Sequence, residues 1–189
     1  MIEYLIGAGT IGAAALASKF LKFEKEQPTL KIHHRPFPLE WREMLQNKWP
    51  IYRRLPENLR DQLEQLTLVF LDRIEVRGVE GLEITDEIRV LTASQACLLL
   101  VNQNTFFPAK LKSVVIRPSA YMATQRDSVG GVQSEREILV LGQSWENGLV
   151  VLSWNNTRTG AANAKDGRNL VLHEFAHQLD QADGQSDGA

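Results

Sequence analysis

Two histidines one helical turn apart constrain this chain more than any other feature. They are His173 and His177, in the stretch Leu170-Val171-Leu172-His173-Glu174-Phe175-Ala176-His177-Gln178-Leu179-Asp180. At 3.6 residues per turn, residues four apart share a helix face. Both imidazoles can therefore converge on one tetrahedral ion at Zn–N distances of about 2.0–2.1 Å. The histidine face is held rigidly only if the rear face packs, and Leu172, Phe175, Ala176 and Leu179 are spaced to do that. The pattern predicts a helix from about Arg168 to Gln181, opening near Asp166 or Gly167 and stopping before Gly184.

Glu174 follows His173 by one residue and points about 100° further round the helix. From there it can reach a water on the open side of a metal held by His173 and His177, as a general base does in metal-assisted peptide hydrolysis. The reading is one Zn2+, with His173 and His177 as ligands, Glu174 as base and a peptide as substrate. The alternative is two structural histidines beside a solvated glutamate. Asn169 and Asp180 fall on or near the histidine side. Asp180, three residues past His177, either orients a ligand imidazole through its second nitrogen or is a solvated helix-end residue. Upstream, the strand residues Val150, Val151, Leu152 and Ser153 could offer an edge on which an extended peptide pairs across the metal; the competing possibility is an interior strand with both edges taken.

The remaining segments set the class. Pro38 opens a short helix to Asn47, and Pro56 a second through Val76, where Leu59, Leu63, Leu66, Phe70 and Ile74 form one apolar stripe. Thr85 reads as an N-cap, with Asp86 and Glu87 suited to the helix dipole, and the helix is apolar through Val101. Lys112–Arg117, Glu137–Leu141 and Leu149–Trp154 read as strands, Gly142–Gly148 as a hairpin-like connection, and Thr124–Arg136 as a polar loop. Helices, then strands, then a helix predict an α+β class: a helical N-terminal half, a small mixed or antiparallel sheet, and the active-site helix near the C-terminus.

Composition narrows the partners. Apolar residues are 43% and charged residues 23% of 189, ordinary globular usage for one domain. A net charge of −2 argues against a general nucleic-acid binder, which would need a basic face. The single cysteine, Cys97, excludes an intrachain disulfide, lies in an apolar run that predicts burial, and fits a reducing compartment. Residues 4–17 are apolar and uncharged, Phe20 and Leu21 extend the run, and Lys19, Lys22 and Lys25 follow. A secretory signal would put the positive charge first, but Glu3 stands there. The run is shorter than the roughly 20 residues of a spanning helix, and the lysines would leave the rest in the cytoplasm. Residues 1–22 are therefore expected to tether the chain to the inner membrane through residues 4–21, to form a surface-lying or partner-bound helix, or to be a frayed tail. Residues 23–36, with Pro28, Pro36 and His33-His34, read as a linker, and residues 37–189 as the catalytic domain.

These residues resemble a known family. Leu141-Gly142-Gln143-Ser144-Trp145, Val150-Val151-Leu152-Ser153-Trp154 and Asn169 through Asp180, with Tyr52–Pro56 and Ala93–Leu100, look like the Mlc titration factor A family of bacterial zinc peptidases. The resemblance implies a zincin-like fold similar to the catalytic domain of anthrax lethal factor, and a cytoplasmic metallopeptidase with aminopeptidase-like activity. It also implies a regulatory alternative, since the best-known member binds the repressor Mlc, a sugar-responsive transcription factor. His173 and His177 match the family's first two zinc ligands and Glu174 its catalytic base. The family takes its third ligand, a glutamate, from a helix well downstream, with a tyrosine near it. This chain ends twelve residues after His177. Either the domain is truncated or a neighbouring chain completes the site; the favoured expectation is a truncated domain whose third ligand lies beyond Ala189, and whose 189 residues alone are destabilised and have little activity.

Overall fold

Prolines set the start of the helical half. Pro38 and Pro56 precede α1 (Leu39–Lys48) and α3 (Glu57–Arg73), and Pro50 is the first residue of α2 (Pro50–Arg54). Proline's fixed φ suits a helix entry, and its missing N–H has no partner to lose there. The computed structural model describes residues 35–129, 132–140, 142–145 and 148–183. The apolar run of residues 4–21 and the pair His33-His34 lie outside the described residues. Arg35 is already tied to α3: its N–H donates to Gln65 Oε1 at 3.0 Å, its carbonyl accepts from Gln65 Nε2 at 2.8 Å, and its guanidinium meets Asp72 at 2.6 Å.

The stripe on α3 packs as its spacing predicts, with Leu63, Leu66 and Phe70 fully buried. The helix stops at Arg73, not Val76. Ile74 closes it, its N–H donating to Phe70 O at 2.8 Å. Glu75–Gly78 then forms β1, paired in parallel with β2 (Ser113–Arg117). Strand pairing overrides the helical stripe here, because a β-branched Ile-x-Val sequence sits where a neighbouring strand offers its ladder. Between them, α4 (Asp86–Cys97) crosses over. The Thr85 hydroxyl accepts from Ile88 N–H as the cap, and a short 3-10 turn, Leu98–Leu100, continues the helix. Every residue of α4 from Val90 to Cys97 is buried.

The four-stranded sheet has the order β1-β2-β6-β5, with β5 (Gly142–Trp145) and β6 (Leu149–Ser153). β6 runs parallel to β2, with Val114 opposite Val150 and Ile116 opposite Leu152, and antiparallel to β5. The sheet is thus mixed, and the α+β class with a helical N-terminal half stands. Three local readings change. Residues 124–136, expected as a loop, belong largely to the two strands of an antiparallel hairpin, β3 (Tyr121–Val129) and β4 (Val132–Val140), which pairs only with itself. The polar sequence of residues 124–136 hid it, because it lacks the apolar alternation that marks a half-buried strand. The connection expected at 142–148 contains β5, and Gly148, at φ +83°, turns the chain toward β6 with its Cα packed on the carbonyl of Lys110. Third, Val150, Val151, Leu152 and Ser153 do not offer a free edge, because β6 is hydrogen-bonded to β2 on one side and β5 on the other. Among the described residues the edge strands of this sheet are β1 and β5, and β5 is the one beside β6.

Trp154, expected as the end of a strand, opens a helix that the sequence reading lacks, α5 (Trp154–Ala162), capped by Ser153 Oγ accepting from Asn156 N–H at 3.2 Å. The last described helix is α6 (Leu170–Asp183). Its Phe175 enters the core against Phe107, with ring centroids 5.0 Å apart, and against Phe70 at 5.7 Å. Cys97 is buried in the same core, and burial pushes its thiol pKa well up.

Candidate active site

Three stripes of α6 do different work. Val171 and Phe175 are fully buried in the core. Leu170, Glu174 and Gln178, four residues apart, lie toward β5: Leu170 and Glu174 flank Gly142, and Gln178 Nε2 donates to Ser144 Oγ at 2.5 Å. His173 and His177 are exposed. The core stripe is narrower than the sequence suggests, since Leu172, Ala176 and Leu179 are only partly buried.

The two Nε2 atoms of His173 and His177 are 3.2 Å apart, with the rings at 81° and centroids 4.6 Å apart. That separation suits one N–H···N bond between the rings. It also matches the roughly 3.3 Å between two nitrogens that share a tetrahedral ion at about 2.0–2.1 Å each. The pair therefore fits two ligand positions of one metal. Among the described residues no group of three or more His, Cys, Asp and Glu side chains could hold an ion.

Glu174 is 6% exposed beside the two rings. Burial raises its pKa above the ordinary value, and a neighbouring His177 charge pulls the other way. A carboxylate held this way binds a proton more readily than a solvated one, as a base at a water-excluding site requires.

Asn169 has a different task from the one its position near the histidines suggests. Its Oδ1 accepts from Leu172 N–H at 3.0 Å as the N-cap of α6, and its Nδ2 donates to Gln95 Oε1 at 2.8 Å and Gly160 O at 3.4 Å. One side chain thus ties the start of the site helix to α4 and α5. Gln95, fully buried and 74 residues away, is the partner that the sequence reading missed. Asn169→Ala is expected to lower unfolding free energy by about 2 kcal/mol or more, from the lost cap and the stranded Gln95 carbonyl. Asn169→Asp, which keeps the cap acceptor, is expected to cost less. Urea denaturation of the two variants checks the order. Asp180 is exposed, and no hydrogen bond joins it to either imidazole.

Among the described residues no helix is long and apolar enough to cross a membrane. Comparison with known proteins follows the same lines as the site. The family model described as glucose-regulated metallo-peptidase M90 matches residues 21–189. The chain is 32% identical over 160 residues to an uncharacterized protein of Synechocystis sp., covering 84% of this chain and 58% of that protein. It is 29% identical over 137 residues to the Mlc titration factor A of Klebsiella pneumoniae, covering 71% and 51%, and 28% identical over 148 residues to that of Escherichia coli O1:K1, covering 77% and 54%. The chain spans between 51% and 58% of the length of these relatives. The resemblance read from the residues around Gly142, Val150 and His173 therefore holds, and the match reaches well beyond the one helix that first suggested it. The chain belongs to the glucose-regulated metallo-peptidase M90 family.

Proposed function

We propose that this chain carries the catalytic helix of a zinc-dependent, aminopeptidase-like peptidase with a zincin-like fold akin to the anthrax lethal factor catalytic domain. The observation that carries the reading is the 3.2 Å separation of His173 and His177 Nε2 beside the buried Glu174. His173 and His177 would hold the ion, and a third ligand, a glutamate, would come from outside the described residues. A zinc ion there would supply a polarised water and a Lewis acid for the substrate carbonyl. Glu174 takes the proton from that water at its carboxylate and returns it to the leaving amine. The side of β5 away from β6 is the edge on which an extended peptide backbone would pair.

Metal removal tests this. The protein together with the segment that supplies the third ligand, assayed on short peptides with free amino termini, is expected to lose hydrolysis with a chelator and regain it with zinc, and His177→Ala is expected to prevent the recovery. Hydrolysis that survives chelation would sink the reading.

The name that the Klebsiella and Escherichia relatives bear, Mlc titration factor A, favours a second reading, in which the domain sequesters a sugar-responsive transcriptional repressor. Glu174→Gln separates the two, since it is expected to stop hydrolysis and leave repressor binding intact. The proposed location is the cytoplasm, with residues 4–21 as a tether to the inner membrane, supported by Lys19, Lys22 and Lys25 behind the apolar run. Fractionation of cells expressing the protein with and without residues 1–22 checks it.

A further inference from the structure

Glycine inside a short strand is costly unless something comes close to its backbone. Gly142, the first residue of β5, is such a glycine. Its backbone is outside the left-handed region, so it is not there for its φ. A Cβ built on it would lie 2.8 Å from Leu170 Cδ1, 2.9 Å from Glu174 Oε1 and 3.0 Å from Glu174 Cγ. Two residues on, and so on the same face of the strand, Ser144 accepts a hydrogen bond from the fully buried Gln178, one turn beyond Glu174 on α6. These two contacts fix both the height and the register of α6 against the edge strand.

We infer that Gly142 is a positioning residue for Glu174, the missing side chain being the seat of the carboxylate. The inference rests on the proposed role of Glu174 as base. The atoms a methyl group would meet are all side-chain atoms, not backbone, and the two nearest, Leu170 Cδ1 and Glu174 Oε1, are ends of flexible side chains. The fold can therefore absorb Gly142→Ala by moving the Glu174 carboxylate off its seat. The ligand pair lies on a different stripe of the helix and meets nothing new. The expected result is selective loss: metal stays bound while the proton-transfer group is misplaced.

The experiment compares Gly142→Ala, Leu170→Ala, the double variant and Glu174→Gln in the zinc-loaded protein. Metal content, kcat, KM and the crystal structure of each are the readouts. Gly142→Ala is expected to lower kcat by about 10- to 100-fold, with KM and bound zinc little changed and the Glu174 carboxylate displaced in the crystal. Leu170→Ala, which removes the other contact, is expected to keep the parent rate. The double variant is expected to stay slow and guards against misfolding caused by the Leu170 clash. A Gly142→Ala enzyme with parent kcat, an unmoved carboxylate, or metal lost in step with activity overturns the inference. If Glu174→Gln is inactive and Gly142→Ala is not, the inference alone fails. If Glu174→Gln retains the parent rate, the peptidase reading fails and takes the inference with it.

Discussion

Glu174→Gln is expected to reduce peptide turnover by about two to four orders of magnitude, the usual worth of a positioned general base, while zinc binding stays close to that of the parent. Glutamine has nearly the same shape, so it can occupy the same space over Gly142. It cannot accept the proton. The same change is expected to raise the stability of the metal-free fold. The Glu174 pKa is raised by burial in the folded chain, so the folded state holds this proton more tightly than the unfolded state does. The sign follows from linkage. The contribution is fully present below the ordinary glutamate pKa and is lost as pH rises through the folded value. Above that, an ionised Glu174 is a buried charge working against folding. Glutamine has no such charge, so the stability gap between variant and parent is expected to widen from acid to neutral pH. Thermal melts of both proteins without metal, at several pH values, measure it. A gap that is flat or shrinks with pH would mean that Glu174 is not desolvated in the folded chain. Lost function with gained stability is the pattern of a residue kept for chemistry rather than for packing.

The placement of His173, Glu174 and His177 on one helix was legible because their relation is local. His173, Glu174 and His177 are fixed by helical pitch alone, and so is the Thr85 cap, which needs only the residue three positions on. The apolar stripe on α3 was legible for the same reason. Information ran out where a residue's role depends on a distant partner. Whether Val150–Ser153 is an edge depends on β5, and β5 is a strand because β6 accepts it, not because Gly142-Gln143-Ser144-Trp145 reads as one. Asn169 looks like a metal-side residue until Gln95, from another helix, occupies its amide. Most of the β3–β4 hairpin went unread because residues 124–136 are polar and lack the apolar alternation of a half-buried strand, and only its apolar end, within Glu137–Leu141, read as a strand. α5 left one trace, Ser153 followed by Asn156, which has the spacing of a cap but lacks the acidic residue that would draw attention to it.

Phe175 shows how far the site depends on the core beneath it. It is the residue after the base, is fully buried, and stands against both Phe107 and Phe70, whose own centroids are 5.9 Å apart. These three rings join α3, the segment before β2, and α6 in one contact. Phe175→Ala would leave a cavity that neighbours of this size cannot fill without moving helices. It is expected to cost about 3–5 kcal/mol of unfolding free energy, read from urea denaturation. His173→Ala, two residues away on the exposed face, is expected to change the metal-free stability by no more than about 0.5 kcal/mol. The contrast isolates packing from chemistry on the same helix. Because the pitch of α6 is held by Phe175 behind and Ser144 beside it, Phe175→Ala is also expected to weaken zinc binding although it touches neither ligand. Phe175→Leu, which keeps most of the volume, is expected to recover the greater part of both. A Phe175→Ala protein that unfolds within 1 kcal/mol of the parent would mean that α6 is not seated on this aromatic cluster, and the rigid histidine face would lose its physical basis.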